Sequence, residues 1–392
     1  MLALALLPSL SPGADAIAIV PKSGPPLAGP YSPGVFAGDY LYVSGQGAKY
    51  PDGSMPATFE GQVKQTLENV KLIVEAAGLK MDNVVYTQVY LEDMNNYAEM
   101  NRVYSTYFQF LPPARATLGV AKLPGTPVEI NAVAIRNAAD KRAVGVNPNE
   151  PASPAILTKD RLFVSGMRGA TGLDPAQQVK SALDKMQAVL KAAGLTMANM
   201  VFVNPYMTKT IPPSVMNAEY AKRFEFGNTP ARATIEVATL PEGAQIEFTG
   251  VAVRDLSKRK AVRPKNMQPS PTASPCVFAG DTLYCSAKSA SIPGPNGGIF
   301  VGTVEQQFRL SMRNQLDNLE EAGMDFTTVV AANVYLDDLT DFAAMNSIYA
   351  KYFKGVAPTR TTIQPIAPGD RAQRAEGLYP MIEQISFVAV RK

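Results

Sequence analysis

The chain has no histidine, no tryptophan and only two cysteines among its 392 residues. The lack of histidine removes the usual general base, the commonest metal ligand and every Ser-His or Cys-His nucleophile pair. Any chemistry therefore runs on Arg, Glu, Asp, Tyr, Ser, Thr or water. Two cysteines cannot write a disulfide framework or a Cys-rich zinc site; Cys276 and Cys285 read as buried strand residues or as a single bridge. No apolar run approaches the roughly 20 residues that cross a bilayer, so a membrane-spanning helix is excluded. A net charge of +3, with Lys and Arg scattered rather than striped, gives no footprint for a phosphate backbone, and nucleic acid is not expected as a partner.

What is present is the composition of a soluble globular protein, 46% hydrophobic and 18% charged, in a chain long enough for two or three domains. The opening MLALALLPSLSPGADA combines an apolar stretch, Leu2 to Leu10, with Ala14-Asp15-Ala16, which resembles a signal-peptide cleavage site, but no basic segment precedes it. It reads equally as a floppy lead or a truncated export signal. Beyond it one phrase occurs three times: PPARATLGV at 112–120, TPARATIEV at 229–237 and APTRTTIQP at 357–365.

The phrase closes a longer repeat. The turns YLYVSGQ, RLFVSGM and TLYCSAK place Ser44, Ser165 and Ser286 at an even spacing of 121 residues, the length of one domain. After each turn comes an amphipathic stretch, such as Val63, Leu67, Val70 and Val74, whose spacing predicts a helix over a sheet. Asp174 before Pro175, and Thr303 with Gln306, read as N-caps; Gly78, Gly194 and Gly323 read as helix ends. A Val/Tyr-rich strand, a second helix, the arginine strand and a final strand follow. Each unit thus reads as hairpin, helix, strand, helix, hairpin, an α+β layer with two helices on one face of a mostly antiparallel sheet. The lead covers 1–19 and the units 20–138, 146–255 and 264–392, joined by the charged stretches 137–145 and 255–264. Three such units, each with a bare sheet face, are expected to close as a ring, so that one monomeric chain forms its own pseudo-trimer.

Taken in order, GPYSPGVFAGDYLYVSGQ, NVKLIVEAAGL, VYLEDMNNYAEMNRVYSTYF and PARATLGVAKLPGTPVEINAVAIRN resemble the RidA family, also called YjgF or endoribonuclease L-PSP, over the first unit and more loosely over the other two. The resemblance implies a chorismate-mutase-like fold, clefts between adjacent units, and cofactor-free hydrolysis of small imino acids such as 2-aminoacrylate or 2-iminopropionate to keto acid and ammonia. It also implies a cytoplasmic location, against the export reading of the N-terminus.

Carried over residue by residue, it makes Arg115, Arg232 and Arg360 the grips for a substrate carboxylate, a task that suits the planar, two-pronged guanidinium. Glu129, Glu247 and Glu383 become the residues that position water. The substrate-binding set is completed by Asn101, Asn217 and Asn346 on the second helix, Ser44 with Gly45, Ser165 and Ser286 in the turn, Thr117, Thr234 and Thr362 after the arginine, and Tyr31. Tyr31 reads equally as a packed hairpin aromatic. Its place is taken by Ala152 and Ala273, and SGQ becomes SGM and SAK. The third repeat also has an insertion between Pro368 and Tyr379. The first repeat therefore ranks as the best cleft, the second next and the third last. Two other readings stand beside the deaminase: a non-catalytic binder of small carboxylates, and an endoribonuclease, which the absence of histidine, basic stripe and Trp disfavours.

Overall fold

In the computed structural model, which describes residues 15–146, 150–265, 267–294 and 296–392, three units of one build follow each other along the chain. The apolar stretch Leu2 to Leu10 and Ala14 lie outside the described residues. Among those described, no helix is long and apolar enough to cross a membrane. The first unit comprises β1 (Ile17–Ile19), β2 (Gly34–Ala37), β3 (Tyr40–Gln46), α1 (Phe59–Ala76), β4 (Val84–Leu91), α2 (Tyr97–Tyr107), β5 (Ala114–Gly119) and β6 (Val128–Ile135). The second comprises β7 (Arg142–Val144), β8 (Ala155–Leu157), β9 (Arg161–Arg168), α3 (Pro175–Ala192), β10 (Met200–Met207), α4 (Pro213–Ala221), β11 (Ala231–Arg232), β12 (Ile235–Glu236) and β13 (Ile246–Val253). The third comprises β14 (Arg259–Val262), β15 (Cys276–Ala279), β16 (Thr282–Lys288), α5 (Val304–Glu321), β17 (Val329–Leu336), α6 (Phe342–Tyr349), β18 (Thr359–Ile363) and β19 (Glu383–Val390).

The long helices start and stop where side-chain chemistry directs. The hydroxyls of Thr58 and Thr303 and the carboxylate of Asp174 accept from Gly61, Gln306 and Gln177 N–H respectively. Gly78, Gly194 and Gly323 follow the helices at φ 74, 75 and 72°, the left-handed conformation that favours glycine. Both helices of the first unit cover one sheet face, where Val63, Leu67, Val70, Met100 and Tyr104 pack on Leu41, Val89 and Ile130.

Two expectations about topology are corrected. The arginine strand and the last strand do not form a hairpin. The sheet order β1-β2-β3-β6-β4-β5, repeated in the other units, inserts β6 between β3 and β4 and leaves β5 at the edge, parallel to β4. A parallel neighbour needs a crossover connection, which α2 supplies. The stretches read as lead and joints also carry structure: β1 falls within 1–19, β7 within 137–145 and β14 across 255–264, each pairing as the first strand of its sheet. Cys276 and Cys285 face each other across β15 and β16 and are joined as a disulfide.

The helix-free faces of the three units meet in one shared cluster. Tyr90, Tyr206 and Tyr335, one from each unit, share a cluster with Leu118, Ile235 and Ile363. The arginine-bearing edge of each unit docks on the turn of the next through one clasp used three times. The Ser44 hydroxyl accepts from Arg360 N–H at 3.0 Å and donates to the Ser32 carbonyl at 2.6 Å. Ser165 does the same for Arg115 N–H at 2.8 Å and the Ser153 carbonyl, and Ser286 for Arg232 N–H at 2.8 Å and the Ser274 carbonyl. Backbone bonds from Ser32, Ser153 and Ser274 N–H to Pro358, Pro113 and Pro230 carbonyls, all 3.1 Å, complete the seams. These pairings satisfy edge strands that would otherwise offer open donors.

Each of Ser44→Ala, Ser165→Ala and Ser286→Ala should therefore destabilise the fold by about 1–3 kcal/mol, because a buried N–H loses its acceptor. Equilibrium denaturant unfolding measures this, and a serine that contacted only ligand would leave the midpoint unchanged.

Candidate functional sites between the units

Each cleft draws its arginine from one unit and its turn from the next, so the residues of one repeat are divided between two clefts. Tyr31, Ser44, Gly45 and Glu129 of the first unit face Arg360, Thr362 and Asn346 of the third, the 3/1 cleft. Arg115, Thr117 and Asn101 of the first unit face the second unit's turn and Glu247, the 1/2 cleft. Arg232, Thr234 and Asn217 of the second unit face the third unit's turn, the 2/3 cleft. Ranking by repeat is thereby replaced by ranking by seam, and Arg360, from the repeat placed last, belongs to the most complete cleft.

The 3/1 cleft is a cavity of about 100 Å³ whose lining includes Tyr31, Gly45, Gln46, Glu129, Arg360 and Thr362. Arg360 is 3% exposed. Its guanidinium stacks near the rings of Tyr349 (4.8 Å), Tyr31 (4.9 Å) and Phe342 (5.4 Å). Among the described residues its Nη2 makes no hydrogen bond, and the Thr362 Oγ1 and Asn346 Oδ1 are likewise buried and unpartnered. The Asn346 amide nitrogen reaches across the seam to donate to the Ala28 carbonyl at 3.2 Å. Burial pushes the Glu129 carboxyl up to about 8, against the opposing pull of Arg360. A Cβ built at Gly45 would collide with Oε1 of Glu129, so this glycine is what lets the carboxyl lie along the turn.

The 1/2 cleft repeats the pattern with one difference. Burial also raises Glu247 to about 8, and a Cβ at Gly166 would collide with its carboxyl. Here, however, the carboxylate of Glu150 stands 3.7 Å from Arg115 Nη2 and also pairs with Arg168, which in turn lies 3.3 Å from Glu242. Burial disfavours the charge on Glu150, but Arg168 and Arg115 together hold its carboxyl below the ordinary value. The groove beside it, lined by Glu150, Arg168 and Glu242, is not lined by Arg115. The position of Glu150 in the repeat is that of Gly29 in the first unit, 121 residues earlier, where a Cβ would collide with Arg360 Nη2.

The 2/3 cleft corrects the assignment of Glu383. Strand pairing sets Glu129 opposite Tyr90 and Glu247 opposite Tyr206, but sets Gln384 opposite Tyr335. Glu383 is one residue out of register, and in a strand one residue changes the face. Its carboxyl therefore points to the helix layer and accepts a hydrogen bond from the Ser311 hydroxyl of α5. The turn carries Ala287 where the others have glycine. The cavity, about 320 Å³, is lined by Arg232, Thr234, Ala273, Lys288 and Gln384 among others. Arg232 Nη1 donates to Asn217 Oδ1 at 2.7 Å.

Most of the expected residues thus gather in the seams. The serines serve as clasps that fix the arginine backbones, and their hydroxyls are engaged with protein on both sides. Sequence reasoning missed Gln46, Phe342, Glu150, Lys288 and Gln384. Counting back from Arg136, Arg254 and Arg391 at the end of the final strands would have found Gln384, and the 121-residue offset from Gly29 would have found Glu150.

A family model described as Endoribonuclease L-PSP matches residues 22–136, 144–254 and 265–367, most of the chain in three passes. A RutC family protein of Pyrococcus horikoshii is 39% identical over 121 residues, 30% of this chain and 96% of its own length. A protein of Escherichia coli strain K12 named 2-iminobutanoate/2-iminopropanoate deaminase is 41% identical over 123 residues, again 30% of this chain and 96% of its own length. The solved structure of the YjgF gene product from E. coli is 40% identical and covers 31% of this chain and 99% of its own, with a TM-score of 0.30.

If Glu150 occupies the place of a ligand carboxylate, Glu150→Ala should create a pyruvate site absent from the unsubstituted protein, and adding Arg115→Ala should abolish it. Isothermal titration calorimetry reads the change in stoichiometry.

Proposed function

The chain belongs to the endoribonuclease L-PSP (RidA) family, and from that premise we propose that it is an imine/enamine deaminase that works at one seam, the 3/1 cleft. The observation that carries this reading is the Arg360 guanidinium, buried at a cavity with Nη2 unpartnered and no carboxylate ion-paired to it among the described residues. A buried charge in that state is costly until an anion arrives, and a small 2-imino acid supplies the anion as its carboxylate. Clefts 1/2 and 2/3 do not offer the same conditions: in one the arginine is taken by Glu150, in the other the glutamate is absent.

Glu129 completes the chemistry. With its carboxyl raised to about 8, it is mostly protonated at neutral pH in the empty cleft. It can give its proton to the imine nitrogen, or to the β-carbon of the enamine, and so form the electrophilic iminium. As carboxylate it then accepts a proton from the water that adds at C2. The resulting carbinolamine loses ammonia and leaves the keto acid, so that imino acid plus water becomes keto acid plus ammonia. One carboxyl serves in turn as acid and base, which is what a value near the working pH favours. Thr362, with its free hydroxyl, and Asn346 stand beside the acid group.

Activity is followed by pyruvate release from freshly generated 2-iminopropionate, coupled to lactate dehydrogenase and read against the uncatalysed rate. Arg360→Ala and Glu129→Gln should each lower kcat/KM by about 10²-fold or more, while Arg115→Ala and Arg232→Ala stay within about threefold of the starting protein on the expectation that neither cleft turns over. Equal losses at all three arginines would contradict a single working seam. Because the acid must begin protonated, kcat/KM should be level below about pH 8 and fall above it as Glu129 ionises. A rise through the same range would reverse the order of the proton steps.

A further inference from the structure

Relative to the 3/1 cleft, the 2/3 cleft is one cation richer and holds no acid that can ionise. Gln384 holds the register position of Glu129, so a carboxyl that burial keeps largely protonated is replaced by a neutral amide. Lys288 holds that of Gln46, since Gln46 pairs with Ile130 of β6 and Lys288 with Ile385 of β19, and this adds one positive charge. Ala273 stands where the first unit has Tyr31, so no aromatic ring from that position covers the arginine. Arg232 and Lys288 both line the cavity, and no acidic side chain does so among the described residues. Neither cation forms an ion pair among the described residues, and burial disfavours the charge on both. The Thr234 Oγ1 is buried there without a partner, and Gln384 adds a neutral amide.

We propose that the 2/3 cleft is a non-catalytic binding site for a small dianion, a dicarboxylate or a phosphorylated acid, held between Arg232 and Lys288. Two cations facing one cavity match two negative charges, whereas a monocarboxylate would leave one of them uncompensated. The missing glutamate removes the group that moves protons at the working seam, so a bound ligand stays unchanged. Occupancy would tie the second unit to the third across the clasp of Ser286 and Arg232, and so stabilise the ring by linkage. This inference does not depend on turnover in the 3/1 cleft, since its readout is binding.

Calorimetry with malonate, inorganic phosphate and pyruvate on the full chain tests it. Malonate or phosphate should bind at one site at least about tenfold tighter than pyruvate does there, and Lys288→Gln and Arg232→Gln should each weaken the dianion by about tenfold or more. Arg360→Ala should leave the dianion site intact while abolishing pyruvate at the working seam. Tighter malonate assigns the site to dicarboxylates, and tighter phosphate to phosphorylated acids. Circular dichroism confirms that the variants fold. Equal affinity for pyruvate and both dianions, or a Lys288→Gln variant that binds the dianion as well as the starting protein, overturns the proposal.

Discussion

A guanidinium taken out of water between two units, with aromatic rings around it and no acid paired to it among the described residues, is the constraint on which the 3/1 cleft depends. Arg360 makes that arrangement tolerable by stacking on Tyr31, Tyr349 and Phe342, whose faces offer cation–π attraction but no full negative charge. The rest of the site follows from the same seam. The Ser44 clasp fixes the Arg360 backbone, Gly29 and Gly45 leave room for the arginine and for Glu129, and Asn346 reaches back to the stretch before Tyr31. Burial that would weaken a lone cation also raises the facing glutamate. Under the proposed function, a cation in need of an anion and an acid that keeps its proton would together receive a small carboxylate bearing a basic nitrogen.

The same phrase meets three different fates because three units on one chain need not stay alike. In a ring of identical subunits every seam is a copy, and a substitution at one is a substitution at all. Here Gly29 is answered by Glu150 at the next seam, and Glu129 by Gln384 at the one after. The clasps, by contrast, are kept at all three, with distances that agree within 0.2 Å for the arginine N–H bonds. Each clasp holds one seam between units, whereas chemistry at one seam asks nothing of the others.

Much of this was legible in the residues. Apolar spacing placed the long helices, and Thr303, Asp174 and Gly78 marked their ends, because these are local effects written within a few positions. The neighbours of β5 and β6 were not legible, since pairing in a sheet depends on contacts distant in sequence and a short turn between two strands suggests a hairpin. The first strands of the second and third sheets, RAV and RKAV, are short and charged, features that blunt an exposed edge and also make it read as a linker. In the site, repetition marks the arginines and the family resemblance marks the asparagines and threonines, but a linear alignment groups them by repeat whereas the seams group them across repeats. Glu383 stands one place from the register position of Glu129, and only strand alternation separates its face from that of Gln384.

The central claim is that one seam is open to a small keto acid while the other two are altered, one by Glu150 and one by the loss of the glutamate. A crystal structure of the full chain soaked with pyruvate tests it most directly. The account predicts a carboxylate on the Arg360 guanidinium with its keto carbon facing Glu129, and Arg115 still paired with Glu150. Pyruvate on Arg115 with Glu150 displaced, or an Arg360 cleft that stays without the acid, would contradict it.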